Sequence, residues 1–144
     1  MKYLGLDVGQ RKIGVAVGEV LATELLTLRC NQHESFYANP ARSRAYDEIE
    51  TIMNEEGAAG IVVGLPVKED GTASEESAKI AEFCDGLSTA LDVTVHTVDE
   101  TLTSFMARDI LESQGIIGAE LENRLDQASA ALILQQYLEE HATI

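Results

Sequence analysis

A chain of 144 residues with 45% hydrophobic content is long enough to bury a sizeable core, and one domain over 1–144 is expected. No apolar run approaches the roughly 20 residues that span a bilayer, and the run after Lys2 breaks at Asp7, too early for a secretory signal, so a cytoplasmic protein without membrane contact is expected. The net charge of −15 runs against the basic character of most nucleic-acid binders, but it is unevenly spread: residues 1–44 sum to +2 and residues 45–144 to −17. Cys30 and Cys84 lie far apart with no metal-like spacing, which suits reduced thiols better than a bridge.

Residues 2–8 and 12–18 are β-type apolar runs joined by Gly9-Gln10-Arg11, so they predict an antiparallel hairpin, which 22–30 extends into a meander. Pro40 marks entry to a helix over about 41–56, and GIVVGLP (60–66) reads as a buried strand. Asp70-Gly71 signals a turn. Thr72 and Glu75 have capping-box spacing for a helix running to about 90. VTVHTV (93–98) is the fifth strand, and helices follow over about 103–114 and 122–140, separated by GIIGAE. The order β-β-β-α-β-α-β-α-α predicts an α/β fold, a mixed five-stranded sheet with helices on both faces.

Three acids stand at places where chemistry is commonly built. Asp7 interrupts the first strand on the face opposite Leu4, Leu6 and Val8, and Gly5 on its own face would leave room for a ligand. Burying a lone carboxylate costs several kcal/mol, so Asp7 must be exposed, hydrogen-bonded or metal-bound. Asp99-Glu100 ends the fifth strand, where open α/β sheets bind ligands, although Asp99 or Thr101 would equally cap the next helix. Asp126 falls in the expected first turn of the last helix, either as a site residue or as the third residue after an Asn123 cap. Together the three would supply hard oxygen ligands suited to Mg²⁺ or Mn²⁺. No His or Cys stands near them at zinc spacing, and His96 reads as a packed strand residue.

The stretches LGLDVGQRKIGVAV (4–17), IVVGLPVKEDGT (61–72), TVDETLT (97–103) and LDQASAALILQQYL (125–138), in this order and spacing, resemble the YqgF-type family of pre-16S rRNA nucleases and Holliday junction resolvase-like proteins. The resemblance implies a ribonuclease H-like fold with Asp7, Glu100 and Asp126 as catalytic and metal-binding residues. It also implies metal-dependent phosphodiester hydrolysis on structured nucleic acid, 5′-end processing of pre-16S rRNA foremost and branched-DNA resolution as the alternative. Arg11, Lys12, Gly64, Lys68, Gly71 and Arg108 are the expected substrate contacts. Three features depart from the family pattern: Thr101 replaces the usual Arg, Gly18-Glu19 replaces Ser-Asp, and GAELEN (118–123) is acidic where basic residues are common. These changes weaken phosphate binding on paper and keep open a non-catalytic ribosome- or transcription-associated module. An actin-type ATPase or sugar kinase opens with a similar strand but needs two such domains. Monomer and dimer both remain open.

Overall fold

The computed structural model describes residues 1–68, 70–100 and 103–142, without the side chain of Ser104. The elements are β1 (Tyr3–Val8), β2 (Lys12–Gly18), β3 (Ala22–Arg29), α1 (Ala41–Glu56), β4 (Gly60–Pro66), α2 (Glu75–Leu91), β5 (Val95–Glu100), α3 (Thr103–Ser113) and α4 (Gly118–Glu140). They form one five-stranded sheet in the order β3-β2-β1-β4-β5. β1 pairs antiparallel with β2 and parallel with β4, β2 pairs antiparallel with β3, and β4 pairs parallel with β5. The expected mixed sheet with helices on both faces is therefore observed.

Strand alternation divides the core in two. Leu4, Leu6, Val8, Ile13, Val15, Ile61 and Val63 face α1 and α2, where Ile49, Ile80, Phe83 and Leu87 complete a fully buried layer. The opposite face carries Ala16, Val62 and Val98, covered by Ala130, Ile133, Leu134 and Tyr137 of α4. α3 packs outside α4 through Ala107, Leu111, Leu121 and Ala128. His96 is half-buried beside the rings of Tyr3 and Tyr137, as a packed residue. Cys30 and Cys84 are free thiols.

Four expectations need correction. α2 is capped by Ser74, whose side chain accepts the Ser77 N–H at 3.1 Å. Thr72 instead donates its N–H and hydroxyl to Asp70 within the turn, at 3.0 and 2.7 Å. β5 both starts and ends two residues later than 93–98, and Glu100 closes it, as its place at the strand end implied. α4 starts at Gly118, four residues earlier than expected, so the second half of the GIIGAE connector is already helix. Its cap is Ile117, without a side-chain cap bond, and Glu120 in the first turn complements the helix dipole. Asp126 consequently sits in the third turn and caps nothing. Finally, Gly5 does not make room for a ligand. A Cβ there would meet Leu134 Cβ at 2.6 Å and Ala130 O at 2.8 Å, so the missing side chain admits α4 itself.

Candidate active site

Asp7 enters the sheet with a glycine on each side. Its partner on β2 is Gly14. Continuing the β1–β4 register one residue past Leu6–Val63 brings Gly64 alongside it on β4. Each glycine is a notch occupied by a different element. A Cβ on Gly14 would lie 2.7 Å from Gln127 N and closer still to the Asp126 carbonyl, so α4 rests directly on β2 at Asp126. A Cβ on Gly64 would lie 2.8 Å from Glu100 Oε2 and 2.6 Å from Ile133 Cδ1, so Glu100 folds back over β4. The backbone notches bring two further acids towards Asp7 from α4 and β5.

Polar side chains of α4 fix its position against the outer strand. Arg124 donates to Glu24 at 3.2 Å, Thr27 Oγ1 donates to Gln127 Oε1 at 3.2 Å, and the Ala22 N–H donates to Gln135 Oε1 at 2.8 Å. Ordering Asp126 is thus shared between close packing and a row of hydrogen bonds along the helix.

The electrostatics record the convergence. Burial holds the Asp7 carboxyl well above the usual carboxylate range, and the charges of Glu100, Asp126 and Glu76 add to it. Burial likewise raises Glu100, with Glu76 adding and the Thr103 hydroxyl opposing. Asp126 is raised by burial and by Glu122, while Lys12 and Arg29, cross-strand partners on β2 and β3, pull it down. Among the described residues, Glu100 Oε2 is buried without a hydrogen-bond partner, the Thr103 hydroxyl bearing on the carboxyl as a whole, and a buried acceptor left so costs about 1–3 kcal/mol. Among the described residues, no three His, Cys, Asp or Glu side chains are gathered closely enough to enclose a metal ion as they stand.

The expected substrate contacts fall at different distances from this centre. Lys12 acts on Asp126 and is exposed, whereas Arg11 donates from Nε to Gln32 O at 3.3 Å, beside the β1–β2 turn. Lys68 and Gly71 are exposed in the loop after β4, with Gly71 at φ +83 where its N–H donates to Lys68 O. Gly64 is buried beneath Glu100 and Ile133 and offers no open lip. Arg108 pairs with Glu122 at 3.0 Å across α3 and α4. Thr101 lies outside the described residues. Sequence reasoning passed over Glu76 and Tyr37, whose side chains share a 3.0 Å hydrogen bond; the Glu76 charge raises Asp7, and the Asp7 charge in turn raises Tyr37. The available signal was the place of Glu76 in the first turn of the helix after β4, next to Asp7 in the sheet.

Two relatives extend nearly the full length of the chain. A protein of Chloroflexus aggregans named "Putative pre-16S rRNA nuclease" is 37% identical over 94% of this chain and 92% of its own. One of the same name from Pseudomonas syringae pv. tomato is 39% identical over 96% and 91%. Among solved structures, Thermus thermophilus RuvC in complex with a Holliday junction substrate matches with TM-score 0.59 and 15% identity, covering 98% of this chain and 96% of that one, which is a likeness of fold. Residues 1–140 match the model of the RuvX family, described as Holliday junction resolvase, and the chain belongs to that family.

Proposed function

We propose that the chain is a metal-dependent nuclease that hydrolyses phosphodiester bonds of structured nucleic acid, with Asp7, Glu100 and Asp126 as the residues that hold Mg²⁺ or Mn²⁺. The reading is carried by one observation: the notches at Gly14 and Gly64, on the strands either side of Asp7, seat α4 at Asp126 and lay Glu100 over β4. Carboxylates gathered in this way favour a cation. The donors are hard carboxylate oxygens, the kind that Mg²⁺ and Mn²⁺ prefer, and Glu100 Oε2 is a buried acceptor with no partner among the described residues.

When bound, the cation supplies Lewis acidity that lowers the pKa of an attacking water and offsets charge on the leaving oxygen. Hydrolysis forms one bond from water oxygen to phosphorus and breaks one from phosphorus to a sugar oxygen, leaving a phosphate end and a hydroxyl end. Asp7 would hold a cation as its carboxylate, and because burial raises its pKa, loading would be favoured as pH rises. Arg11 and Lys12 meet flanking phosphates on the hairpin side. Lys68 and the turn at Gly71 do so on the β4 side, and Arg108 joins them when Glu122 releases it. The names of the full-length relatives favour pre-16S rRNA as the substrate, and 5′-end processing is the step we propose for it. The description of the family model favours a second reading, branched DNA.

Cleavage of a panel of labelled RNAs and DNAs with Mg²⁺ or Mn²⁺ tests the proposal. Asp7→Asn, Glu100→Gln and Asp126→Asn should each abolish cleavage while the circular dichroism spectrum is kept. Full activity in any of the three removes that residue from the site. An inactive wild type across the panel favours the non-catalytic module.

A further inference from the structure

Beside the acid centre lies a cleft of about 570 Å³, lined by Gln10, Tyr37, Lys68, Ser74, Glu75, Glu76 and Lys79. It falls within the size range of small-ligand sites. Its walls are the β1–β2 turn, the segment before α1, the loop after β4 and the start of α2. The last is anchored to the sheet, since the hydroxyls of Ser74 and Ser77 both donate to Pro66 O at the end of β4. Glu76 is therefore carried on a fixed helix start, and the Tyr37 hydroxyl donates to its Oε1 at 3.0 Å. Burial and the neighbouring acids push the Tyr37 hydroxyl far up, so it stays a donor at neutral pH. Lys79 Nζ stands 6.0 Å from the Tyr37 ring centroid. Gln10 follows β1 three residues after Asp7 and Lys68 follows the end of β4, so the cleft opens at the strand ends next to the acid centre, and the Glu76 charge acts on both Asp7 and Glu100.

The chemistry of this cleft is selective. Lys68 and Lys79 suit backbone phosphates, but Glu76 repels them. Among the described residues, no hydrogen bond reaches Glu76 except that from Tyr37. A pre-oriented carboxylate with free accepting capacity next to a scissile phosphate suits a hydroxyl donor, and the sugar of DNA offers none within the chain. The ribose 2′-hydroxyl does, and it is the group by which a protein distinguishes RNA from DNA. We infer that this cleft is the subsite for a ribonucleotide adjacent to the scissile bond, where Glu76, held by Tyr37, accepts a hydrogen bond from the 2′-hydroxyl and Lys68 and Lys79 hold the neighbouring phosphates. The inference rests on the nuclease reading of the acid centre and gives it a preference for RNA.

The test is a scan of a cleavable RNA oligonucleotide with single 2′-deoxy substitutions, on wild type, Glu76→Ala, Glu76→Gln and Tyr37→Phe. Wild type should lose about 10-fold or more in kcat/KM at one position next to the cut. Glu76→Ala should erase that penalty. Glu76→Gln retains an accepting oxygen without the charge and should keep most of it, which separates hydrogen bonding from electrostatics. Tyr37→Phe should shrink it. A penalty unchanged in Glu76→Ala, or equal cleavage of all-ribose and all-deoxy strands by wild type, overturns the inference while leaving the nuclease reading intact. If nothing is cut, the nuclease reading fails. Anisotropy of labelled RNA and DNA strands of one sequence then decides the subsite: an RNA preference abolished by Glu76→Ala supports it, and equal binding overturns it.

Discussion

Replacing Gly14 by Ala tests how Asp126 is positioned. The added Cβ would lie 2.7 Å from Gln127 N and nearer still to the Asp126 carbonyl, where ordinary contact begins at 3.4 Å. All these atoms are backbone, so no side-chain rotation relieves the clash. α4 must recede by at least about 0.7 Å at Gln127 and by more at Asp126. Overpacking of this kind costs about 1–3 kcal/mol, which in a chain of this length lowers Tm by roughly 2–12 °C. The effect on catalysis should be larger in proportion, because a displacement of about 1 Å at a reacting group can cost on the order of 100-fold in rate. Thermal melts and single-turnover cleavage, the latter well below the variant's Tm, separate the two effects. A variant that melts within about 1 °C of wild type and cuts at the wild-type rate would refute the seating of α4 on Gly14 as the device that places Asp126.

Gly64→Ala should be milder in stability, since its Cβ meets the flexible ends of Glu100 and Ile133 and not backbone, yet it should still depress cleavage by displacing Glu100; unchanged cleavage would mean that Glu100 has other room. Asp7→Asn should stabilise the metal-free protein. The folded carboxyl holds its proton above the ordinary aspartate value, so its stabilising contribution is present below that value and is lost as pH rises through the raised one. The Tm gap between Asn variant and wild type should therefore widen from about pH 4 towards neutrality, with a residual slope from Glu100 and Asp126, which shift in the same direction; a constant gap would contradict the burial argument. Neutralising Arg11 and Lys12 should weaken nucleic-acid binding and reduce the slope of log K against log salt by about 0.7–0.9 per lost contact, whereas an unchanged slope would make them solvated turn charges.

The elements were legible because their signals are local. β-type runs, Pro40 before α1 and the glycines around β4 mark structure within a few residues, and all nine elements appear in the expected order. The misplaced boundaries arose where two local signals competed: Thr72 and Ser74 both offer a cap, and GIIGAE reads as a glycine-bounded connector although its last three residues form the dipole-matched first turn of α4. The candidacy of Asp7, Glu100 and Asp126 was also legible, singly ambiguous and joined by family resemblance. Only the tertiary structure decided what brings them together. Gly5, expected to clear space for a ligand, clears it for Leu134 and Ala130; Gly14 and Gly64, which flank Asp7 on neighbouring strands, admit the helix and the strand that carry the other two acids. Glu76 and Tyr37, 39 positions apart, meet only because α2 starts from the end of β4 beside the turn that precedes α1. A sequence states which residue lacks a side chain, but which neighbour fills the gap depends on register and layer packing between segments far apart in the chain.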